Sequence, residues 1–280
     1  MKSFEPIPCL DTAGKAEPLL LLHGVTGSLR MWRKVVPLVS THHRVIAPTA
    51  LGHRGGTAVS IRPARIAHVV DDAEQLLDRL ELDTVHCVGN SMGGWVALEL
   101  ARRGRAKSVC ALSPAGVWDS PPAYTVHTLK TVRAQTRGAR SILPLLAYSG
   151  AFRRFALRDT ATHGERITRD DLLSLSDDLL SCEVLDDLLA TPERLEPLTA
   201  ACPVTIAWSQ YDRVFPADKH VHLARERMRG ARFVTLPNVG HVPMFDDPQL
   251  VADTILAVTA AVTESRTVGS DAEHGPRTSA

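Results

Sequence analysis

The stretch Cys87-Val88-Gly89-Asn90-Ser91-Met92-Gly93-Gly94-Trp95 decides how this chain is read. An apolar run stops at a serine that opens a helical pattern, with glycines two positions before and two positions after it. This G-x-S-x-G spacing marks a sharp strand-to-helix turn. A serine at such a turn takes a backbone conformation that L-residues rarely adopt, and side chains at Gly89 or Gly93 would strike neighbouring backbone. The turn lifts the hydroxyl out of the sheet edge, next to the unpaired amides that open the helix. The five-residue pattern alone is common. Its setting between a strand and a helix gives it meaning. The bland alternative is that Ser91 only caps its helix.

Around this turn, apolar strand-like runs alternate with helical patterns. Strands are predicted at Leu19–Leu22, Arg44–Ala47, Thr84–Gly89, Lys107–Leu112, Val204–Ser209 and Arg232–Leu236. Between them, helices are predicted over Ser28–Val39, with Ser28 as N-cap, and from Pro63 through Leu80. Another follows Ser91 and closes on Arg102, Arg103 and Gly104; two more cover Ala217–Met228 and Pro248–Val262. The alternation predicts an α/β fold with a mostly parallel central sheet flanked by helices. From Val117 to Pro197 the alternation gives way to helical periodicity without a buried strand. The expected organisation is therefore a core of residues 1–116 and 198–264, an inserted helical cap of residues 117–197, and a disordered polar tail of residues 265–280. A cap inserted there would cover the carboxyl edge of the sheet, where ligands bind in open α/β sheets.

The chain has 280 residues, with 32 basic and 31 acidic side chains. That balance gives no bulk charge for nucleic acid or membrane, and no apolar run reaches membrane-spanning length. The N-terminus lacks the hydrophobic core of a signal peptide. Five cysteines without paired spacing make neither a disulfide framework nor a zinc site. These features predict a reduced, soluble, cytoplasmic protein acting on a small molecule. Nothing indicates an oligomer.

A serine hydroxyl becomes nucleophilic when a base takes its proton, and the base needs a partner to orient it. Among twelve histidines, His241 follows the last predicted strand, in Asn238-Val239-Gly240-His241-Val242-Pro243. That places it at the sheet edge that Ser91 occupies. Asp212 follows the preceding strand and reaches the same edge, with Asp218 and Asp119 as alternatives. The oxyanion site is expected to use the backbone amides of Met92 and Val25, the latter directly after His23-Gly24. His23 is read as a structural group that holds the oxyanion loop. His53 and Arg54 either touch substrate or, as the favoured reading, belong to a flexible surface loop.

The runs Leu19-Leu20-Leu21-Leu22-His23-Gly24, Gly89-Asn90-Ser91-Met92-Gly93-Gly94, Asp212 with Pro216, and Gly240-His241 resemble the α/β-hydrolase superfamily. The chain order Ser91, Asp212, His241 matches that family's order. The resemblance implies a central sheet of mostly parallel strands, a mobile helical cap and no required cofactor; no metal site is expected. The serine sets the chain apart from haloalkane dehalogenases and epoxide hydrolases, which carry an aspartate at that position. Two departures stand out. Only about 17 residues precede the His-Gly strand, so a sheet of fewer than eight strands is expected. Thr49 occupies the usual place of an aspartate in the loop after the Arg44–Ala47 strand.

The leading expectation is hydrolysis of a carboxylic ester. The Gly-Asn-Ser-Met-Gly-Gly elbow resembles C–C bond hydrolases acting on vinylogous diketones, whereas the Val25-Thr26-Gly27 loop resembles carboxylesterases. Lactonase, perhydrolase and acyltransferase activities need the same triad. A non-catalytic ligand sensor is the alternative from another class. Cap residues such as Trp118, Tyr124, Tyr148 and Phe155 either line an acyl pocket or pack the cap. Arg133, Arg137 and Arg140 are read as solvated helix faces.

Overall fold

Seven strands form the central sheet of the computed structural model, which describes residues 9–272. They are β1 (Cys9–Asp11), β2 (Pro18–Leu22), β3 (Arg44–Pro48), β4 (Val85–Asn90), β5 (Ala106–Leu112), β6 (Val204–Ser209) and β7 (Arg232–Leu236). Their spatial order is β1-β3-β2-β4-β5-β6-β7. All neighbours run parallel except β1, which pairs antiparallel to β3 at one edge. The strands from β2 onward fall within a residue or so of the apolar runs, because both faces of a parallel sheet are covered. Three-residue β1 was not anticipated. It is too short to show a period, and Arg44 clamps it through a 2.6 Å ion pair to Asp11.

The period of two along each strand builds two cores. Leu20, Leu22, Cys87, Val109, Ile206 and Trp208 face one layer, shared with the helices Ile66–Arg79, Met92–Arg102 and Ala217–Arg227. Leu19, Leu21, Val88, Cys110 and Ala207 face the other, against Trp32, Val35 and the helix Pro248–Ala272. Between β5 and β6 the described residues contain helices and no strand; the longest are Ala123–Gly138 and Arg169–Leu180. Among the described residues no helix is long and apolar enough to cross a membrane, and no group of acids, histidines and cysteines is placed to hold a metal ion. The five cysteines are free, and burial pushes the Cys110 thiol up to about 12.

Three helix expectations need correction. The helix expected over Ser28–Val39 is a 3-10 turn, Leu29–Trp32, followed by a short helix, Val36–Val39. Pro37 has no amide proton and its ring would meet the preceding turn, so one continuous helix cannot form. Ser28 makes no capping bond. The helix expected from Pro63 begins at Ile66, whose amide donates to Glu193. The last helix runs to Ala272 and takes in the first part of the segment expected to be disordered. No proline or glycine interrupts the sequence between Val262 and Gly269, and the helix continues through Gly269 itself. The rest of that segment, residues 273–280, lies outside the described residues.

Leu20 has no exposed surface and lies in the middle of the sheet. Leu20→Ala is expected to lower the unfolding free energy by about 2–5 kcal/mol, measured by urea denaturation, without shifting the m-value.

Candidate active site

Ser91 joins β4 to the helix Met92–Arg102 with φ 56° and ψ −117°, a conformation that L-residues rarely adopt. The turn exists because two glycines let backbone meet backbone. A Cβ on Gly89 would fall on the Gly93 carbonyl, and a Cβ on Gly93 would fall on the Leu22 carbonyl. The Ser91 amide donates to Leu112 and its carbonyl accepts from Trp95 and Ala115, so both sides of the turn are held. Gly24 lies alongside, where a Cβ would stand 3.3 Å from that of Ser91.

The structure brings His241 and Asp212 together. His241 Nδ1 donates to Asp212 Oδ2 at 2.7 Å, with both residues buried. The second carboxylate oxygen accepts from the amides of Val214 (2.9 Å) and Phe215 (2.7 Å), which fixes the acid's orientation. The Phe215 ring stands edge-on to the imidazole with centroids 5.0 Å apart. With Nδ1 held, Nε2 is the nitrogen available to Ser91, and both residues line one cavity. The two other acids considered lie elsewhere: Asp119 pairs with Arg227, and Asp218 sits in the first turn of its helix.

Two side chains that the sequence reading did not assign fix this geometry. Asn90 Nδ2 donates to the carbonyls of His241 (2.8 Å) and Leu112 (3.2 Å), which ties the serine's strand to the histidine loop. Asp246, 2 % exposed, accepts from the amides of Gly240 (2.7 Å), Thr162 (2.9 Å) and His163 (2.6 Å). It therefore stitches the histidine loop to the segment 160–163. Asn90 had a visible signal in its place beside Ser91. Asp246 had none.

The loop after β2 is held by two neutral imidazoles. His23 Nε2 accepts from the Ala50 amide at 2.9 Å, which leaves its Nδ1 proton to donate to the Gly24 carbonyl at 2.8 Å. This fits the structural role expected for His23. His53 is not in a flexible surface loop: it is buried, and its Nε2 accepts from the Thr26 amide at 3.2 Å. Thr26 itself has φ 66°, a strained value that this bond helps hold. Burial, then the neighbouring His53, lowers His23 to about 3; burial also lowers His53. Among the described residues, neither the Val25 nor the Met92 amide is spent on a protein acceptor.

Two apolar cavities meet at Ser91. The larger, open to solvent, is lined by Leu157, Leu175, Leu179, Val242 and Phe245, with Arg213 and Asp159 as its charged groups. The smaller is lined by Met92, Trp95, Trp118 and Leu188. Val25, Ser91, Thr125, Leu129 and Phe215 belong to both. Of the cap aromatics, Trp118 and Tyr124 line these cavities. Tyr148 and Phe155 are exposed under the guanidinium groups of Arg169 and Arg158. Arg133 pairs with Asp186 on the surface.

The two neutral imidazoles carry a pH signature. A histidine whose folded pKa lies below its unfolded value contributes stability above the unfolded pKa and loses it as pH falls. The thermal midpoint is therefore expected to drop as pH is lowered from 6.5 towards 3, the window spanned by His23, and circular dichroism at graded pH checks it. A midpoint that stays level down to about pH 4 would contradict the assignment.

Residues 19–254 match the alpha/beta hydrolase family. A Mycobacterium tuberculosis protein named epoxide hydrolase EphH is 34% identical, over 68% of this chain and 92% of the relative. A 2-hydroxymuconate semialdehyde hydrolase from a Pseudomonas species is 37% identical over 39% of this chain and 40% of its own length. A thermophilic esterase from Thermogutta terrifontis superposes with a TM-score of 0.70 at 24% identity, covering 91% of this chain and 93% of that one. The chain belongs to the alpha/beta hydrolase family and, like its named relatives, is a hydrolase.

Proposed function

We propose that this chain is a serine hydrolase that cleaves a small carboxylic ester with an apolar group on each side of the ester bond. The observation that carries this reading is the position of Ser91, where two apolar cavities join beside an imidazole held by Asp212. Ser91 Oγ attacks the carbonyl carbon and passes its proton to His241 Nε2. Asp212 stabilises the imidazolium. The Val25 and Met92 amides receive the oxyanion. Collapse breaks the carbon–oxygen bond, and His241 protonates the departing alcohol. Water, deprotonated by the same histidine, then attacks the acyl-enzyme and releases the acid.

Epoxide opening is a poor fit to this serine despite the name of one relative. Attack of Ser91 on an epoxide carbon would leave an ether, which a histidine-activated water does not cleave. Cleavage of a dienone C–C bond is the second reading. It is supported by the partial relative named as a semialdehyde hydrolase and by Arg213, a cation in the larger cavity that suits a carboxylated substrate.

The test is a panel of aryl esters graded by acyl length, run beside ring-fission dienones. Turnover of the esters, with a loss of about a thousandfold or more in Ser91→Ala and unchanged circular dichroism, is the expected result. Ester activity retained in that variant would reject Ser91 as nucleophile. Dienone turnover far above ester turnover would favour the second reading.

A further inference from the structure

Asp178 lies near the end of the helix Arg169–Leu180, has no exposed surface, and reaches out of the cap to the loop after β2. A carboxylate at that depth persists only when partners replace the water it has lost. Its Oδ2 accepts from Ser28 Oγ at 2.6 Å, and its Oδ1 accepts from Arg54 Nε at 2.6 Å. Arg30 stands 3.8 Å from Oδ1. Arg54 continues the connection by donating to the carbonyl and hydroxyl of Ser174, one turn back on the same helix.

These contacts bear on the turn that presents the Val25 amide. That turn closes through Gly27 N donating to the Gly24 carbonyl at 3.1 Å. It is pinned along its length at Thr26 by His53, at Ser28 by Asp178 and at Leu29 by Thr49 Oγ1 (3.3 Å). His53 and Thr49 belong to the core and offer neutral acceptors. The charged acceptor comes from the cap. The Val25 side chain also packs against the cap cluster of Leu179, Cys182, Val184 and Leu185.

We infer that Asp178 is a positioning residue for the oxyanion site: by gripping Ser28 and Arg54 from the cap, it makes the placement of the Val25 amide depend on the cap helix being seated. This rests on the reading of Ser91 as nucleophile and Val25 as oxyanion donor. An amide moved by a fraction of an ångström costs transition-state stabilisation while leaving substrate binding nearly intact.

The test uses a fluorophosphonate, whose phosphorus takes Ser91 Oγ as fluoride leaves and His241 accepts the serine proton. Wild type, Asp178→Asn, Ser28→Ala and Ser91→Ala are compared well below their melting temperatures. Asp178→Asn turns a donor toward Arg54, and Ser28→Ala removes the grip from the core side with little change in volume. Both are expected to lower kinact by at least about tenfold with KI within about twofold, and to lower kcat for an aryl ester in the same proportion. A merely structural Asp178 would lower the melting temperature and leave kinact unchanged. That result in Ser28→Ala, which retains the buried ion pair, overturns the inference even if Asp178→Asn fails to fold. Equal loss in kinact and in binding also overturns it. Failure of the fluorophosphonate to label Ser91 in wild type, read by peptide mass spectrometry, is a separate outcome that removes the nucleophile reading and the inference with it.

Discussion

The strained backbone of Ser91 can exist only because neighbouring chain segments hold it from several directions. Its φ of 56° is disfavoured for a residue with a Cβ, so the local sequence would relax it if left alone. Leu112, Trp95 and Ala115 bond the serine's own amide and carbonyl, while the bare Cα of Gly93 lets the helix start rest on the Leu22 carbonyl. That close approach puts the end of β2, and hence the His23-Gly24 turn, directly beside Ser91. The loop after β2 and the turn at Ser91 are thus one packing problem. Asn90 extends it to the third component by bonding the His241 carbonyl from the residue next to Ser91.

Much of this was legible in the sequence because the determinants are local. Apolar runs locate every parallel strand, and the position of each strand's end puts Ser91, Asp212 and His241 on one rim. Two failures have a common cause. Ser28 reads as an N-cap because its side chain suits that position, but its hydroxyl donates instead to a carboxylate 150 residues away. His53 reads as a surface residue because its neighbours are glycine and arginine, yet it is buried against Thr26. Thr49, in the place usually held by an aspartate, is not such a failure: its hydroxyl accepts from the Leu29 amide. In both failures the deciding partner comes from a distant part of the chain, where no periodicity or capping rule points. Pro37 is different. Its effect on the helix was local and readable in principle.

The two parts of the cap are held to the core by different physics. In residues 157–190, buried carboxylates and backbone groups make the attachment: Asp178 to Ser28 and Arg54, Asp246 to the amides of Thr162 and His163, and the Glu183 amide to the Gly52 carbonyl. Lifting this part would break hydrogen bonds to two buried carboxylates, one on either side of the junction. In residues 123–156 the attachment is thin. The helix Ala123–Gly138 buries only Thr125, and the helix Gly150–Ala156 buries no residue. Local opening is easiest where few apolar contacts are lost. Displacing the first part therefore costs less than displacing the second. Tyr124, Thr128 and Ala156, which line the larger cavity, all lie on that loosely held side. Val25 and His241 are fastened to the other. That stretch of the cavity wall is thus held by fewer buried side chains than the groups around Ser91.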